Sequence, residues 1–325
     1  NIGLDFGFLN GKISGSFDLF RDQRVDVLIS GDQRAIPEYY GTTAPVANLG
    51  EVENKGYEIV LNLKQDFGTD WRLWAELNMT HAENKVIEGD NPQLLPEYQK
   101  NNNKAIGQAY SYVDNGFYNT WDELYATTQF NTDDAQKLPG GYQIIDFNAD
   151  GVIDGFDNIP YGFSGAPQNT YNATVGFQWK GLSGFVQFFG VNNVTRQVVF
   201  NSFGNQNNIV YDEGSYWNLN NTNADAPVPR YVSTPNGASD GSRFFYDGSY
   251  VRLKNAEIAY TLDENSKLLK GLGFESLRLF VNGNNLYVWT KMPDDRESNF
   301  AGTGWASQGA YPTLKRFNLG LNITF

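Results

Sequence analysis

Apolar and polar residues alternate with a period of two along much of this chain, which is the pattern of β-strands whose two faces meet different surroundings. The first example is IGLDFGF at residues 2–8. Asn10 and Gly11 then predict a two-residue hairpin turn, because both residues tolerate a positive φ. The return strand carries the same alternation over residues 13–19. The opening of the chain therefore predicts an antiparallel hairpin.

The alternation recurs and predicts about nine strands in the whole chain. After the first hairpin, the alternating segments lie at residues 57–64, 71–80, 172–180, 185–191, 249–262, 276–289 and 313–325. Short links are predicted near residues 10–11, 66–70, 181–184 and 263–275. Long links are predicted near residues 31–52, 87–168, 196–247 and 290–312. Short and long links alternate strictly along the chain.

An antiparallel meander with short turns at one end and long loops at the other is typical of outer-membrane β-barrels. Every short link falls on the side where the chain ends. The alternative is a soluble β-sandwich, whose strands also alternate. However, strands of about ten residues exceed the usual globular length, and a loop insertion at residues 87–168 is unusual in a compact domain. The pattern therefore favours an all-β fold, an antiparallel transmembrane β-barrel with long extracellular loops.

The last alternating segment, YPTLKRFNLGLNITF, strengthens this prediction. Asparagine, glycine and threonine occupy one face, and the other face carries Phe317, Leu319, Leu321, Ile323 and Phe325. An apolar face toward lipid and a polar face toward a wet interior suit a barrel strand. The terminal phenylalanine resembles the sorting signal of bacterial outer-membrane barrels.

Composition is compatible with a barrel. The mean hydropathy is −0.47, and no apolar run approaches the ~20 residues of a membrane helix, but a barrel keeps a polar average because only alternate residues face lipid. The net charge of −13 argues against nucleic-acid binding, which requires a basic surface. The chain has no cysteine. It begins inside the alternation with no visible signal peptide, as expected of a piece of something longer.

Residues 146–157, DFNADGVIDGFD, fit a calcium-binding loop. Gly151 stands where such a loop turns sharply. The preceding GGYQIID looks extended, so we expect a dockerin-like loop without a full EF-hand, and aspartate replaces the usual glutamate at the last position. The predicted Ca²⁺ ligands are Asp146, Asn148, Asp150, Val152 through its backbone carbonyl, Asp154 and Asp157. The alternative is a solvated acidic turn, and in either case the role is structural.

Catalysis is not expected, because no nucleophile, phosphate-loop or metal-hydrolase motif is present. The single histidine, His81, lacks partners for a metal site or a triad and is interpreted as a wall or rim residue. Acidic pairs at residues 133–134 and 294–295 lie in predicted loops and are interpreted as solvated.

Aromatic residues fall into two predicted groups. Those near strand ends are interpreted as a girdle at the membrane interface, namely Trp71, Trp179, Tyr260 and Trp289. Those in the long links are interpreted, as a set, as a surface for a ligand or partner, with packing inside the loop as the alternative for each single residue. This second set is Tyr110, Tyr112, Phe117, Tyr118, Trp121, Tyr211, Tyr216, Trp217 and Trp305.

Seven segments, taken in order, resemble the SusC/RagA-like TonB-dependent transporters of Bacteroidota. They cover most of the chain, and their combination is specific although each alone is weak. The segments are NLGEVENKGYEIVLN (48–62), GQAYSYVDNGFY (107–118), DFNADGVIDGFDNIPYG (146–162), PQNTYNATVGFQWKGLSGFVQFFGV (167–191), DGSYVRLKNAEIAYTL (247–262), LRLFVNGNNLYVWTK (277–291) and the terminal YPTLKRFNLGLNITF.

The resemblance implies that residues 1–325 form the C-terminal segment of a barrel of about 22 strands, roughly strands 14 to 22, with the plug, the TonB box and the first strands missing. It implies a multi-pass protein in the outer membrane of a Gram-negative bacterium. Its implied partners are membrane lipid, a SusD-like surface lipoprotein and TonB, which would act through the absent N-terminal part. The implied cargo is an oligosaccharide or a peptide.

Three functions remain open at this point. The leading hypothesis is nutrient import as the barrel of a SusCD-type transporter. The alternative is a SusC-like subunit that no longer transports and serves as a structural part of a larger outer-membrane complex; an intact TonB box would distinguish the two. A soluble β-rich adhesin or lectin is the third interpretation.

Overall fold

A computed structural model describes residues 1–36, 39, 41–128, 138–197, 215–225, 227–228, 241–263, 266, 269, 273–292 and 313–325. The strands are β1 (Ile2–Phe8), β2 (Ile13–Ile29), β3 (Ala47–Phe67), β4 (Trp71–Glu88), β5 (Gln108–Ser111), β6 (Asp114–Phe117), β7 (Tyr142–Ile144), β8 (Ile159–Ser164), β9 (Asn169–Trp179), β10 (Leu182–Asn192), β11 (Thr195–Gln197), β12 (Phe245–Asp247), β13 (Tyr250–Leu262), β14 (Ser276–Thr290) and β15 (Arg316–Thr324). An α-helix, α1 (Trp121–Ala126), lies between β6 and β7.

Nine of these strands form one sheet in the order β1-β2-β3-β4-β9-β10-β13-β14-β15. Every neighbouring pair is antiparallel. Each strand of the sheet pairs with the next sheet strand along the chain, so the sheet is a simple meander. The predicted all-β antiparallel fold and its nine strands are thereby confirmed.

The first hairpin has a longer connection than the predicted two-residue turn. Positive φ angles occur at Leu9 (54°), Asn10 (56°) and Gly11 (80°). The Gly11 N–H donates to the Phe8 carbonyl at 3.1 Å, and the Lys12 N–H donates to the Leu9 carbonyl at 3.3 Å. Residues 9–12 therefore form two overlapping turns, of which the second is centred on Asn10 and Gly11 as predicted. Phe8 pairs with Ile13, and this register keeps both apolar side chains on one face.

Three strands are longer than the sequence pattern predicted. β2, β3 and β4 contain 17, 21 and 18 residues, whereas β9 and β10 contain 11 each. The link expected to reach residue 52 ends at Ala47, where β3 begins. Its last residues, NLGEVE, pair with β2 and β4 although their side chains are mostly polar. Because polar side chains interrupt the apolar alternation here, the sequence pattern did not predict this part of the strand.

The long links carry small elements of their own. β5 pairs with β8, β6 with β7, and β11 with β12, each as a two-stranded sheet. α1 begins after Thr120, whose hydroxyl accepts the Glu123 N–H at 3.1 Å, and the Glu123 carboxylate accepts the Asn119 N–H at 2.7 Å. This reciprocal cap fixes the start of a short helix. Among the described residues, no helix has the length and apolar character to cross a membrane.

Candidate functional site

The nine-stranded sheet has one apolar face, called the outer face here. The register aligns apolar residues from strand to strand, as in the row Phe17–Ile59–Met79 and the row Ile258–Val281–Leu319. Because side chains alternate along a strand, each such row extends the same face across the sheet. The outer face carries, among others, Ile2, Leu4, Leu19, Ile59, Leu73, Val175, Val186, Ile258, Leu279, Val281, Leu319 and Leu321.

The outer face is uncovered in the described part of the chain. Phe317 is 74% exposed and Leu319 is 75% exposed, and the same holds to a lesser degree across the other strands. A contiguous apolar surface of this extent marks an interaction with protein or membrane. The β-sandwich interpretation is wrong, because a sandwich would bury this face against a second sheet.

An aromatic row closes the outer face at the end with the short links. Trp71 pairs with Trp179, and their rings stack at 5.1 Å between centroids. Leu182 pairs with both Trp179 and Tyr260, so the row continues to Tyr260. Trp289 lies on the same face at the other end. These positions suit the aromatic girdle that was predicted for the four residues.

The height of the apolar part matches a membrane. On β3 it runs from Phe67 to Tyr57, and ten residues span about 34 Å along a strand, or about 26 Å vertically at a barrel tilt near 40°. Above Tyr57 the same face becomes charged: Lys55 binds Glu83 at 2.8 Å. The outer face therefore has a band about as tall as the apolar belt of an outer-membrane barrel.

The opposite, inner face is polar and internally hydrogen-bonded. Glu257 accepts hydrogen bonds from Arg278 and from Asn282, and Asn282 in turn accepts one from Asn318 at 2.8 Å. A second ladder joins Gln187, Asn255 and Asn284 across three strands. These cross-strand pairs hold β10, β13, β14 and β15 in register. They give the inner face the chemistry of a surface that meets water.

One close aromatic contact also lies on the inner face. A Cβ atom at Gly176 would stand 2.4 Å from the Trp74 ring, so the ring lies directly over the backbone of β9. Only glycine permits this approach. The indole is thereby held flat against the wall.

The long links share a small core. Phe117 stacks on Tyr142 at 5.4 Å, Phe244 meets Tyr142 edge-on at 5.4 Å, and Trp217 joins the same buried cluster. Phe117 and Tyr142 come from the link between β4 and β9, whereas Trp217 and Phe244 come from the link between β10 and β13. The core therefore joins two long links into one unit.

An ion pair is built into that core. The Arg243 guanidinium contacts both rings of the stacked Phe117–Tyr142 pair, at 4.5 and 4.4 Å from their centroids, and its Nε lies 2.8 Å from Asp114 Oδ2. Burial raises the pKa of Asp114, and the Arg243 charge partly offsets this rise. This pair was not predicted, because no spacing rule links residues 114 and 243.

Three of the loop aromatics do not lie on the surface that was predicted for the set. Phe117, Tyr118 and Trp217 are 6%, 1% and 6% exposed, so for these three the ligand-facing interpretation is wrong, and they pack inside the links. Trp121 differs, being 50% exposed, and its ring stacks at 6.0 Å on the exposed Tyr125. Tyr211 and Trp305 lie outside the described residues.

The loop at residues 146–157 is organised by its own carboxylates. Asp146 Oδ2 accepts the Gly151 N–H at 2.8 Å, while Asp146 Oδ1 is buried and has no hydrogen-bond partner. Gly151 has φ = 90°, which requires a residue without a side chain. Asn148 Oδ1 accepts the Asp150 N–H at 3.0 Å, and Asp150 Oδ1 accepts the Val152 N–H at 2.8 Å.

Asp157 has a different position from the other carboxylates of the loop. It is fully buried and accepts three backbone N–H groups, from Phe147 at 2.7 Å, Asn148 at 3.2 Å and Asp154 at 2.8 Å. A carboxylate that satisfies buried N–H donors stabilises the loop directly. Asp154 completes the arrangement by accepting the Phe156 N–H at 2.8 Å.

Within the described ranges, no three acidic, histidine or cysteine side chains converge as a metal centre. Of the predicted ligands, Asp157 is engaged with backbone N–H groups, whereas Asp146 Oδ1 is buried without a hydrogen-bond partner.

His81 lies on the outer face at the upper limit of the apolar band. Its ring stacks on Tyr57 at 5.1 Å, and its Nδ1 lies 2.6 Å from Asn169 Oδ1. This agrees with a wall residue. The acidic pairs at residues 133–134 and 294–295 lie outside the described residues.

Known proteins are similar in sequence to this chain over its whole length. "TonB-dependent receptor P3" of Formosa agariphila is 28% identical over 355 residues, covering 100% of this chain and 34% of that protein. "TonB-dependent receptor SusC" of Bacteroides thetaiotaomicron is 25% identical over 342 residues, covering 100% of this chain and 31% of that protein. No family model matches the chain.

Solved structures share the fold. The RagAB peptide importer in its "closed-closed" state has a TM-score of 0.67 at 18% identity, covering 99% of this chain and 35% of that one. The RagAB peptide transporter has a TM-score of 0.64 at 19% identity, covering 99% and 34%. The chain thus spans about a third of the length of the proteins that it matches. The resemblance to SusC/RagA-like TonB-dependent transporters is therefore confirmed along the entire chain, whose nine strands correspond to part of their β-barrel.

Proposed function

We propose that this chain forms part of the wall of an outer-membrane nutrient importer. The observation that carries the proposal is the division of the nine-stranded sheet into two faces: an apolar band of about 26 Å outside and a hydrogen-bonded polar surface inside. A membrane barrel with a wet interior needs both. The relatives named as TonB-dependent receptors support the same conclusion.

A growth experiment tests import and separates it from the scaffold alternative. The gene for the full protein is deleted in its own bacterium, and growth is measured on oligosaccharides and on peptides as sole nutrient. Import predicts that growth is lost on one cargo class and restored by the intact gene. Unchanged growth on every nutrient, together with an envelope defect, would instead assign the protein to a structural complex.

We propose two protein partners, a SusD-like surface lipoprotein and TonB. The exposed Trp121 and Tyr125 supply apolar surface on the long links, where a surface lipoprotein would dock. Affinity purification of the full protein from outer membranes should retain one lipoprotein in a fixed ratio. Replacing both rings by alanine should weaken that retention, whereas Leu94→Ala, at a separate and fully exposed site, should not.

We propose that Ca²⁺ binds the loop at residues 146–157 and orders it. Asp146 Oδ1, Asn148, Asp150, Asp154 and the Val152 carbonyl are the oxygens available to such an ion. The buried Asp146 Oδ1, which has no hydrogen-bond partner, supports an oxygen-preferring cation. When bound, the ion would neutralise carboxylates that otherwise repel one another. Its role would be structural.

Metal analysis tests this site. Asp146→Ala should bind one Ca²⁺ fewer than the parent and should lose the Ca²⁺-dependent rise in thermal stability of the loop. Asp122→Ala is the matched control, because Asp122 is an exposed acid on α1 outside the loop. Equal calcium contents in the Asp146→Ala protein and the parent would show that Ca²⁺ does not bind this loop.

A further inference from the structure

The apolar outer face contains a groove of about 590 Å³, called the outer groove here. Its floor is the row Val175–Val186–Ala256, which continues to Gly283. Small residues occupy the last two positions of that row, so the surface is lower there than on either side. Phe317 on β15 pairs with Gly283 on β14 and forms the end of the groove.

The walls of the outer groove are large apolar side chains. Phe177, Ile258 and Val281 form the wall toward the short-link end. On the other side, a Cβ atom at Gly283 would meet the Leu286 side chain at 2.5 Å, so Leu286 lies over Gly283. The groove is therefore shaped by a particular choice of large and small residues and is more than a gap between neighbouring strands.

The polar residues at the border of the groove belong to the inner face. Glu257 and Asn282 contact it, but Glu257 accepts hydrogen bonds from Arg278 and Asn282 on the inner side. On the outer side, the side chains that line the groove are apolar. Water binds poorly in such a site, because it finds no polar partners.

We infer that the outer groove binds one acyl chain of a membrane lipid. This inference rests on the membrane placement proposed above. The groove lies inside the apolar band, between the aromatic row at Trp179 and Tyr260 and the aromatic residues Tyr287 and Trp289. Its lining continues directly into the lipid-facing band, so the surrounding medium at that depth is hydrocarbon. A flexible alkyl chain fills a long apolar depression of this kind by dispersion contacts.

Lipid retention by the whole transporter tests the inference. The full protein is incorporated into phosphatidylethanolamine nanodiscs, released into a mild detergent, and weighed by native mass spectrometry. Ala256→Phe fills the floor of the groove, and Val186→Phe is a second filling variant. Ala173→Phe is the matched control, because Ala173 lies on the same outer face but does not line the groove. The parent and the control should retain one phospholipid more than either filled variant.

Three other results would overturn the inference that the outer groove binds lipid. Equal lipid counts in parent and filled variants, with all proteins inserted in the bilayer, would overturn the groove alone. Failure of the parent to enter nanodiscs would overturn the membrane placement and the inference with it. If Ala256→Phe removed a second copy of the protein in place of a lipid, the groove would be a contact between barrels, and the inference would be wrong.

Discussion

The nine-stranded sheet and the long links are stabilised in different ways. In the sheet, stability comes from a pattern repeated over nine strands, in which many similar side chains face the same medium. In the links, it comes from a few specific polar contacts, chiefly those of the buried Asp157 with three N–H partners and of the partly buried Arg243 with two stacked rings and Asp114. A buried polar group that loses its partner is costly, because no neighbour replaces the lost hydrogen bonds. A repeated pattern is visible in the sequence, whereas contacts between distant residues are not.

The largest effect is expected from Asp157→Ala. Each buried N–H left without an acceptor costs about 1–3 kcal/mol, and three donors together should destabilise the loop by roughly 4 kcal/mol after local relaxation. Hydrogen exchange of the amides at residues 146–157 measures the change. Asp154→Ala is the control, because the Asp154 side chain acts as an N-cap of the turn that follows and its loss should cost about 1 kcal/mol. Equal losses in the two variants would contradict the special role of Asp157.

The effect of an introduced charge on the free energy of unfolding should depend on which face of the sheet carries it. Leu61 and Asn62 are neighbours near the middle of β3 and point to opposite faces. Leu61→Arg should reduce the free energy of unfolding in a bilayer by about 2–4 kcal/mol, as for lipid-facing arginine at the midplane. Asn62→Arg, which points to the inner face, should change it by less than about 1 kcal/mol. Similar costs at both positions would show that the two faces meet the same medium.

The contact between Trp74 and Gly176 offers a smaller test within the sheet. Gly176→Ala places a methyl group 2.4 Å from the indole and should destabilise the barrel by about 1–3 kcal/mol through overpacking. In a Trp74→Ala background the same substitution should be tolerated, since the ring that it would meet is gone. A double-mutant cycle measures the difference, and additive costs would refute the contact.

The smallest expected effect is a pH dependence of the link core. Burial raises the pKa of Asp114 in the folded protein, so folding favours its protonated form. The contribution of Asp114 to stability is therefore fully present below its unfolded pKa, near 3.9, and is lost as pH rises through the folded pKa. Hydrogen exchange in β6 should slow as pH falls through this window, after correction for intrinsic rates. Asp114→Asn should lack this response.

The strands of the sheet could be predicted from the sequence because their apolar and polar residues alternate periodically. Alternation alone placed nine strands, their short and long links, and the aromatic rings at the short-link end. It missed the start of β3, where pairing continues with charged side chains such as Glu51 and Glu53. It also predicted a two-residue turn where two overlapping turns occur, because the register of Phe8 with Ile13 depends on a cross-strand contact.

In the long links, the sequence allowed a structural prediction only where a local motif exists. The loop at residues 146–157 is recognisable because its oxygens follow one another in sequence, and Gly151 adopts the positive φ that the motif demands. The core of Phe117, Tyr142, Trp217 and Phe244 joins residues more than a hundred positions apart. Nothing in the local sequence distinguishes these rings from exposed ones such as Trp121, so their burial could not be predicted.

The central claim is that the two faces of the sheet meet lipid and water respectively. Residues 1–325 contain no cysteine, so in a cysteine-free form of the full protein single introduced cysteines measure this directly. Single cysteines are introduced at each position from 58 to 63 of β3 in the full protein, labelled with a fluorophore and reconstituted with brominated lipid. The account predicts strong quenching at Ile59, Leu61 and Leu63, and weak quenching with ready labelling by an aqueous reagent at the positions between them. Uniform quenching along the strand, or none at the odd positions, would contradict the account.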